Sequence, residues 1–421
     1  MTRGPRAGFA AAFAVREFRA LWAAEAQSVV GDQLAKVALS VVVYQRTGSA
    51  GLTALSYAVM LLPALVAGPL LSWVADAFPR RAVMVGCALA QAVLVGLMAL
   101  PGTPVAALFG LIVVVQLVQA PYLAAQAATL PVVLTGEAYQ AGQALRQITR
   151  QIGTLAGLAF GGMTVVLLGV PGALALDAAT FVVAALVIRV WVADRPAPAA
   201  TGDEDGAPRG SAVRQGIQVI WGDPRLRALT ALAWLAGFAV VPEALMVPLA
   251  LSVGAGPTAV GWLLAIESLA MVIGAYLLVR LVSAHARQRL LGPLAVLTVL
   301  PLVGFAAGPG LAAVAALLAL AGFFAAYQVT VSATFMELVP DDRRGQAYGI
   351  ARSCLISVQG LGVLLGGLVA ELTGSVGTTI AIAGGLGVLA AVPAALAWRR
   401  AIAVPTGKHA PTRMLAHAGA H

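Results

Sequence analysis

Apolar residues in this chain do not alternate with polar ones. They run on in stretches of roughly 20 residues, broken by short clusters of Gly, Pro and charge. A helix of that length covers about 30 Å, the thickness of a bilayer's hydrocarbon core. Laid off in order, the stretches fall at 20–44, 51–75, 82–100, 105–128, 148–168, 171–192, 228–252, 257–281, 290–307, 311–336, 347–371 and 376–398. The pattern predicts an all-α membrane protein with twelve transmembrane helices. A membrane β-barrel would show short alternating strands instead. Residues 7–15 follow Arg3 and Arg6 in the manner of a signal segment, but Arg16, Glu17, Arg19 and a full span come next. The first helix is therefore the expected insertion signal, without cleavage.

Composition sharpens this. The 421 residues are 60% apolar and 10% charged, with a mean hydropathy of +0.92. Soluble domains carry about a quarter charged residues. Cys87 and Cys354 sit inside apolar runs, as small hydrophobes do.

The net charge of +9 suggests nucleic acid until its distribution is read. With a cytoplasmic N-terminus, 24 of the 26 Lys and Arg fall in tails and loops on the cytoplasmic side. The exceptions are Lys36, inside span one, and Arg46, in an outer loop. That is the positive-inside asymmetry of a multi-pass protein of the cell membrane, with both termini cytoplasmic and no nucleic-acid partner.

Residues 193–210 are rich in Pro, Ala, Gly and acids and read as a flexible linker. The following 211–221 segment can lay Val213, Ile217, Ile220 and Trp221 on lipid as a short interfacial helix. The expected organisation is a six-helix bundle over 1–192, a cytoplasmic linker over 193–225, a second bundle over 226–400 and a flexible tail over 401–421. The halves are also alike. Gly157, Gly161, Gly162 and Gly169 return as Gly362, Gly366, Gly367 and Gly374, each 205 residues on. Two pseudo-symmetric six-helix repeats are the layout of a secondary transporter whose site lies between them.

Enzyme signatures are absent from the sequence. Neither lysine, Lys36 or Lys408, is followed by Ser or Thr, so there is no P-loop and no ATP is expected. There is no H-E-x-x-H and no G-x-S-x-G. Three of the four histidines lie in the tail. No metal or cofactor is expected.

Charges inside the spans are the functional signal, because an ionisable group at the bilayer centre costs about 2.5–3.5 kcal/mol on insertion scales. Glu25, Asp32 and Lys36 lie within about 40° of each other on one helix face. They form either a proton-coupling stripe along a wet cavity or, for Asp32 and Lys36, an inert ion pair one turn apart. Glu243 and Glu267 are further candidates to face the cavity. Asp177 and Glu371 are expected at outer helix ends, and Arg146, Arg150 and Arg352 as inner-end positive charges. Gln116, Gln119 and Tyr122 in span four, with Tyr327 and Gln328 in span ten, are candidate substrate contacts; helix–helix hydrogen bonding accounts for them equally well.

Several motifs carry a family resemblance. They include Phe18-Arg-Ala-Leu-Trp22, Gly31-Asp32, Val43-Tyr-Gln-Arg-Thr-Gly48, Leu62-Pro-Ala-Leu-Val-Ala-Gly68 and Val339-Pro-Asp-Asp-Arg-Arg-Gly345. From about Phe18 to Trp398 the chain resembles a major facilitator superfamily transporter, most closely the drug:proton antiporter branch of twelve-helix, macrolide-efflux-type exporters. The superfamily's loop 2–3 signature is matched at Asp76, Arg80 and Arg81, while Ser72, Ala77 and Pro79 replace other positions. The resemblance implies a gating role for these three. The span-five antiporter signature is matched at Gly153, Gly157, Gly161 and Gly162, with Ala144 and Leu158 in place of a Gly and the Pro. Glycines four apart let another backbone approach closely. The implied function is proton-coupled efflux of a small amphipathic organic solute by a monomer in the lipid bilayer. The alternatives are transport of a specific metabolite, siderophore or lipid, in either direction, and a non-transporting scaffold or receptor.

Overall fold

In a membrane the backbone finds no water, so each helix must satisfy its own N–H and C=O groups. Helices accordingly dominate the computed structural model, which describes residues 5–63, 71, 74–196, 217–339 and 344–403. The helix α1 (Pro5–Ala14) precedes α2 (Arg16–Thr47), the first crossing. The second is described through α3 (Ala50–Leu61) and α4 (Val74–Ala77). The third and fourth are α5 (Arg80–Met98) and α6 (Val105–Val133). The long α7 (Gly136–Trp191) holds crossings five and six, because Gly169 breaks it with φ 70° and ψ 173°.

The seventh crossing is segmented into α8 (Pro224–Trp234), α9 (Ala236–Ala239), α10 (Val241–Ala244) and α11 (Met246–Ser252). Then come α12 (Pro257–Leu281), α13 (Ala284–Val303), α14 (Leu311–Ala325) with α15 (Tyr327–Leu338), α16 (Arg344–Thr373) and α17 (Val376–Ala403). Ten described helices are long and apolar enough to cross a membrane, and α3 is a shorter apolar one. Counting α7 twice and α3 as part of a crossing accounts for the twelve that the apolar runs predict. Most of the predicted linker (197–216) and tail (404–421) lies outside the described residues, although 217–222 is helical.

Twelve crossings put both ends of the chain on one face, here the terminal face. The six turns on the far face are tight. Each contains a glycine at positive φ: Gly48, Gly102, Gly169, Gly254, Gly308 and Gly374. The repeat is visible here, since Gly169 and Gly374 make equivalent turns at φ 70° and 63°. No L side chain adopts that backbone readily.

The repeated glycines also set the packing. A Cβ on Gly157 would stand 2.6 Å from Gln33 Cβ and 2.8 Å from Val30 O, and one on Gly161 would stand 2.9 Å from Val37 Cγ2. In the other half Gly366 presses on Val241 in the same way, at 2.8 Å, and Gly362 lies against the carbonyl of Gly237. The next glycine of each pair faces across to the other half. A Cβ on Gly367 would stand 2.6 Å from Ala54 Cβ, and one on Gly261 of α12 would stand 3.1 Å from Gly162 N. The bundles thus touch along α3 with α16 and along α7 with α12.

Candidate functional site

Of the three charges inside the first span, Glu25, Asp32 and Lys36, Glu25 lies nearest the terminal face. It is 8% exposed and is held by two arginines of α7. Arg146 donates to one carboxylate oxygen, and Arg150 to the other at 3.2 Å. Arg146 also donates to Gln126 Oε1 at 2.8 Å. Glu25 is thus buried and paired where the stripe reading expects it along a wet cavity, and Arg146, expected as an inner-end positive charge, is 6% exposed and turned onto it. A lone buried charge is too costly, so the arginine one helix away turns inward.

Lys36 makes a different pair from the local one. Its Nζ reaches Glu243 Oε1 of α10 at 2.6 Å, in the opposite half. It also donates to Tyr57 Oη of α3 at 2.6 Å and lies 4.1 Å from that ring's centroid. The alternative Asp32–Lys36 pair does not form, because Glu243 of the other half and Tyr57 of its own half offer Lys36 a carboxylate and a hydroxyl together.

Two cavities flank this contact. One, of about 250 Å³ within the first half, is lined by Asp32, Lys36, Tyr57, Gln116, Gln119 and Asp177 among others. The second, of about 310 Å³, is bounded mainly by the second half and by α7, with Glu243, Glu267, Ser268, Gln328 and Gln359 on its wall. Lys36 lines one and Glu243 the other, so their pair marks the meeting of the two. Asp32 and Glu267 reach the cavities without an ion-pair partner among the described residues.

Of the expected substrate contacts, Gln116, Gln119 and Gln328 are on cavity walls. Gln119 accepts a hydrogen bond from buried Gln91. Tyr122 belongs instead to the buried apolar cluster that holds Leu21 and Met84. Tyr327 is fully buried and its hydroxyl donates to Leu232 O at 2.8 Å. Both rings therefore serve the core, where an aromatic body finds most contact.

Asp177 is the residue that the outer-end expectation misplaces. It is 2% exposed and lines the first cavity. A Cβ on Gly31 would overlap its Oδ1, so its carboxylate lies against bare α2 backbone. The missed signal was depth: six residues into a helix starting at 171, a side chain stands about 9 Å below the turn. Tyr57, Gln91 and Gln126 carried no signal beyond being polar in apolar runs.

At the terminal face, Arg80 donates to Ala128 O at 2.8 Å, and Arg81 pairs with Asp194 at 2.6 Å. These contacts tie α5 to α6 and to the end of α7, within one half. The side chain of Asp76 lies outside the described residues. At the far face, Glu371 of α16 accepts hydrogen bonds from Ser49 Oγ and from Gly51 N, the latter at 3.1 Å. That carboxylate, expected at an outer helix end, makes a cross-half contact there.

The geometry is that of two helical bundles around divided, charged cavities, and comparison with known proteins agrees. The family model of the Major Facilitator Superfamily matches residues 21–250 and 243–418. No curated protein matches at a significant level. Among solved structures, a POT family transporter in complex with a thioalcohol conjugated peptide is similar at 11% identity and a TM-score of 0.71, covering 92% of this chain and 96% of that one. The nucleoside transporter NupG is similar at 15% identity and a TM-score of 0.67, covering 92% and 100%. A bacterial homolog to the human lysosomal transporter Spinster, inward-facing and occupied, is similar at 13% and 0.65, covering 92% and 94%. With family and fold in agreement over nearly the whole chain, the protein belongs to the Major Facilitator Superfamily and is a membrane transporter, not an enzyme.

Proposed function

We propose that the protein exports small amphipathic organic solutes across the cell membrane by alternating access, driven by protons, as a monomer with both termini cytoplasmic. The observation that carries this reading is the Lys36–Glu243 pair at the meeting of the two cavities. A pair with one member in each half lasts only while the halves stand together there. Whatever neutralises Glu243 or competes for Lys36 therefore biases the conformational equilibrium. Asp32, one helical turn from Lys36 and on the same cavity wall, is the acid best placed to couple a proton to that bias. Glu267, across the partition, is the second candidate. The drug:proton antiporter resemblance of the span-five glycines supports outward exchange, and the gating assignment of Asp76, Arg80 and Arg81 rests on their signature alone.

The test is transport in proteoliposomes. With a pH difference imposed, the protein should accumulate a fluorescent amphipathic dye against its gradient. Asp32→Asn should abolish uphill movement and leave downhill exchange. Uphill transport that survives in Asp32→Asn would move the coupling role to Glu267. No movement of any amphipathic probe, with uptake of a nucleoside or peptide instead, would favour an importer.

A further inference from the structure

We infer that Asp32 and Asp177 together seat the ammonium group of a cationic amphipathic solute, one that donates N–H hydrogen bonds. The inference rests on the transport reading above and names the chemical class of its substrate.

The first observation is a charge imbalance. The first-half cavity is lined by two carboxylates and one cation, Lys36. That cation is taken by Glu243 and Tyr57, and Arg146 and Arg150 of α7 are taken by Glu25. An uncompensated carboxylate within a membrane protein is expensive, and a positive group brought in by a ligand relieves the cost.

The second observation is independent of charge. Gln33 lines the same cavity, and its Oε1 is buried with no hydrogen-bond donor. Asp177 is itself 2% exposed, and the only hydrogen bond to its carboxylate among the described residues is a long one from Thr180 Oγ1, 3.4 Å from Oδ1 and shared with the Asp177 carbonyl at 2.8 Å. These are acceptors in surplus. A bare proton could satisfy one of them; a primary or secondary ammonium carries two or three donors and can address several at once.

The third observation is the rest of the wall. Met60, Val95, Met98, Ile112 and Phe181 present an apolar surface to the same space. An amphipathic body fits there beside its charged end, and Phe181 can face the cation with its ring. Backbone placement keeps the seat in register. Gly31 has no side chain, which lets Asp177 and Thr180 close onto α2 next to Asp32.

The experiment measures binding of two probes of equal length, 4-phenylbutylamine and 4-phenylbutan-1-ol, to the purified full-length protein in detergent by calorimetry. The amine should bind at least tenfold more tightly than the alcohol. Asp32→Asn and Asp177→Asn should each remove that preference, while Asp32→Glu, which retains the charge, should keep most of it. Gly31→Ala should weaken amine binding several-fold without removing a charge, because its Cβ would displace Asp177. Thermal unfolding without ligand identifies any variant that fails to fold, and Asp32→Glu then carries the comparison.

Equal binding of the two probes by the wild type, or a preference that survives both Asn variants, would overturn the assignment. So would sodium, exchanged for potassium at constant ionic strength, abolishing amine binding: the seat would then be one for an inorganic cation. Equal binding of the two probes by a wild type that still moves a neutral solute under a pH difference would sink this inference alone. A retained preference with no transport in proteoliposomes would uphold the seat and sink the transport reading.

Discussion

Lys36 and Glu243 are 207 residues apart in sequence and 2.6 Å apart in space, one in each half of the molecule. Neither is fully buried, and Tyr57 accepts a second hydrogen bond from the same ammonium. The contact is thus a three-residue link between α2, α3 and α10 at the level of the cavities.

Lys36→Gln and Glu243→Gln should each leave one charge without its partner. Each should lower stability by about 1–3 kcal/mol and reduce transport at least tenfold. The exchange Lys36→Glu with Glu243→Lys should recover part of the stability, read as the unfolding midpoint in detergent. Equal midpoints for all four proteins would show that the link contributes nothing to holding the halves together.

Glu25→Gln is a different case. Its arginine partners stay behind, and Arg146 is buried. The expected loss is about 3–5 kcal/mol, the range for breaking a buried pair, seen as a fall in folded yield. Protein that does fold should keep its response to an imposed pH difference. A stable, well-expressed variant that has lost that response would make Glu25 a proton carrier after all.

Why the pairings of Glu25 and Lys36 escaped the sequence is a matter of range. Helical periodicity places Glu25, Asp32 and Lys36 on one face, and the structure keeps them on one helix, α2. It says nothing about which helix comes to that face. Glu243 and Arg146 arrive from crossings whose neighbours are set by tertiary packing. The glycine repeat was legible for the opposite reason. A positive φ or a bare Cα is a local backbone demand, so Gly169 and Gly374 mark equivalent turns wherever the helices go. Tyr122 and Tyr327 show the limit of residue type, since a tyrosine in an apolar run serves a core as readily as a cavity.

Two glycine substitutions should have opposite signs. A Cβ on Gly362 would run into the carbonyl of Gly237, which is backbone and cannot turn aside, whereas one on Gly86 meets nothing within 4 Å. Gly362→Ala should destabilise by about 1–3 kcal/mol through overpacking. Gly86→Ala should be neutral or stabilise by up to about 1 kcal/mol through helix propensity. Unfolding midpoints measured side by side decide it, and a Gly362→Ala protein as stable as wild type would mean that α9 and α16 are not in close contact.

Glu371→Gln keeps the shape of the far-face contact with Ser49 and Gly51 but weakens two charge-assisted hydrogen bonds. A cysteine placed at Gln116, on the cavity wall, should then react several-fold faster with a membrane-impermeant thiol reagent added from the far face. An unchanged rate would remove Glu371 from closure of that side.

The basic residues predict that the linker is cytoplasmic. A cysteine at Gly206 should stay unmodified by an impermeant reagent outside intact cells and react once the membrane is opened. Labelling from outside would reverse the orientation of the whole chain.

The six far-face turns have a consequence of their own. The longest, 304–310, has seven residues between α13 and α14, four of them in a short 3-10 turn, and another is the single break at Gly169 within α7. Polypeptide of that length cannot reach over a neighbouring helix, so no lid is available on this face and any seal there must be the helix walls themselves. The same shortness leaves a protease or a binding protein little to grip. Limited digestion of the protein in membranes should therefore nick it from the terminal face and spare the far one.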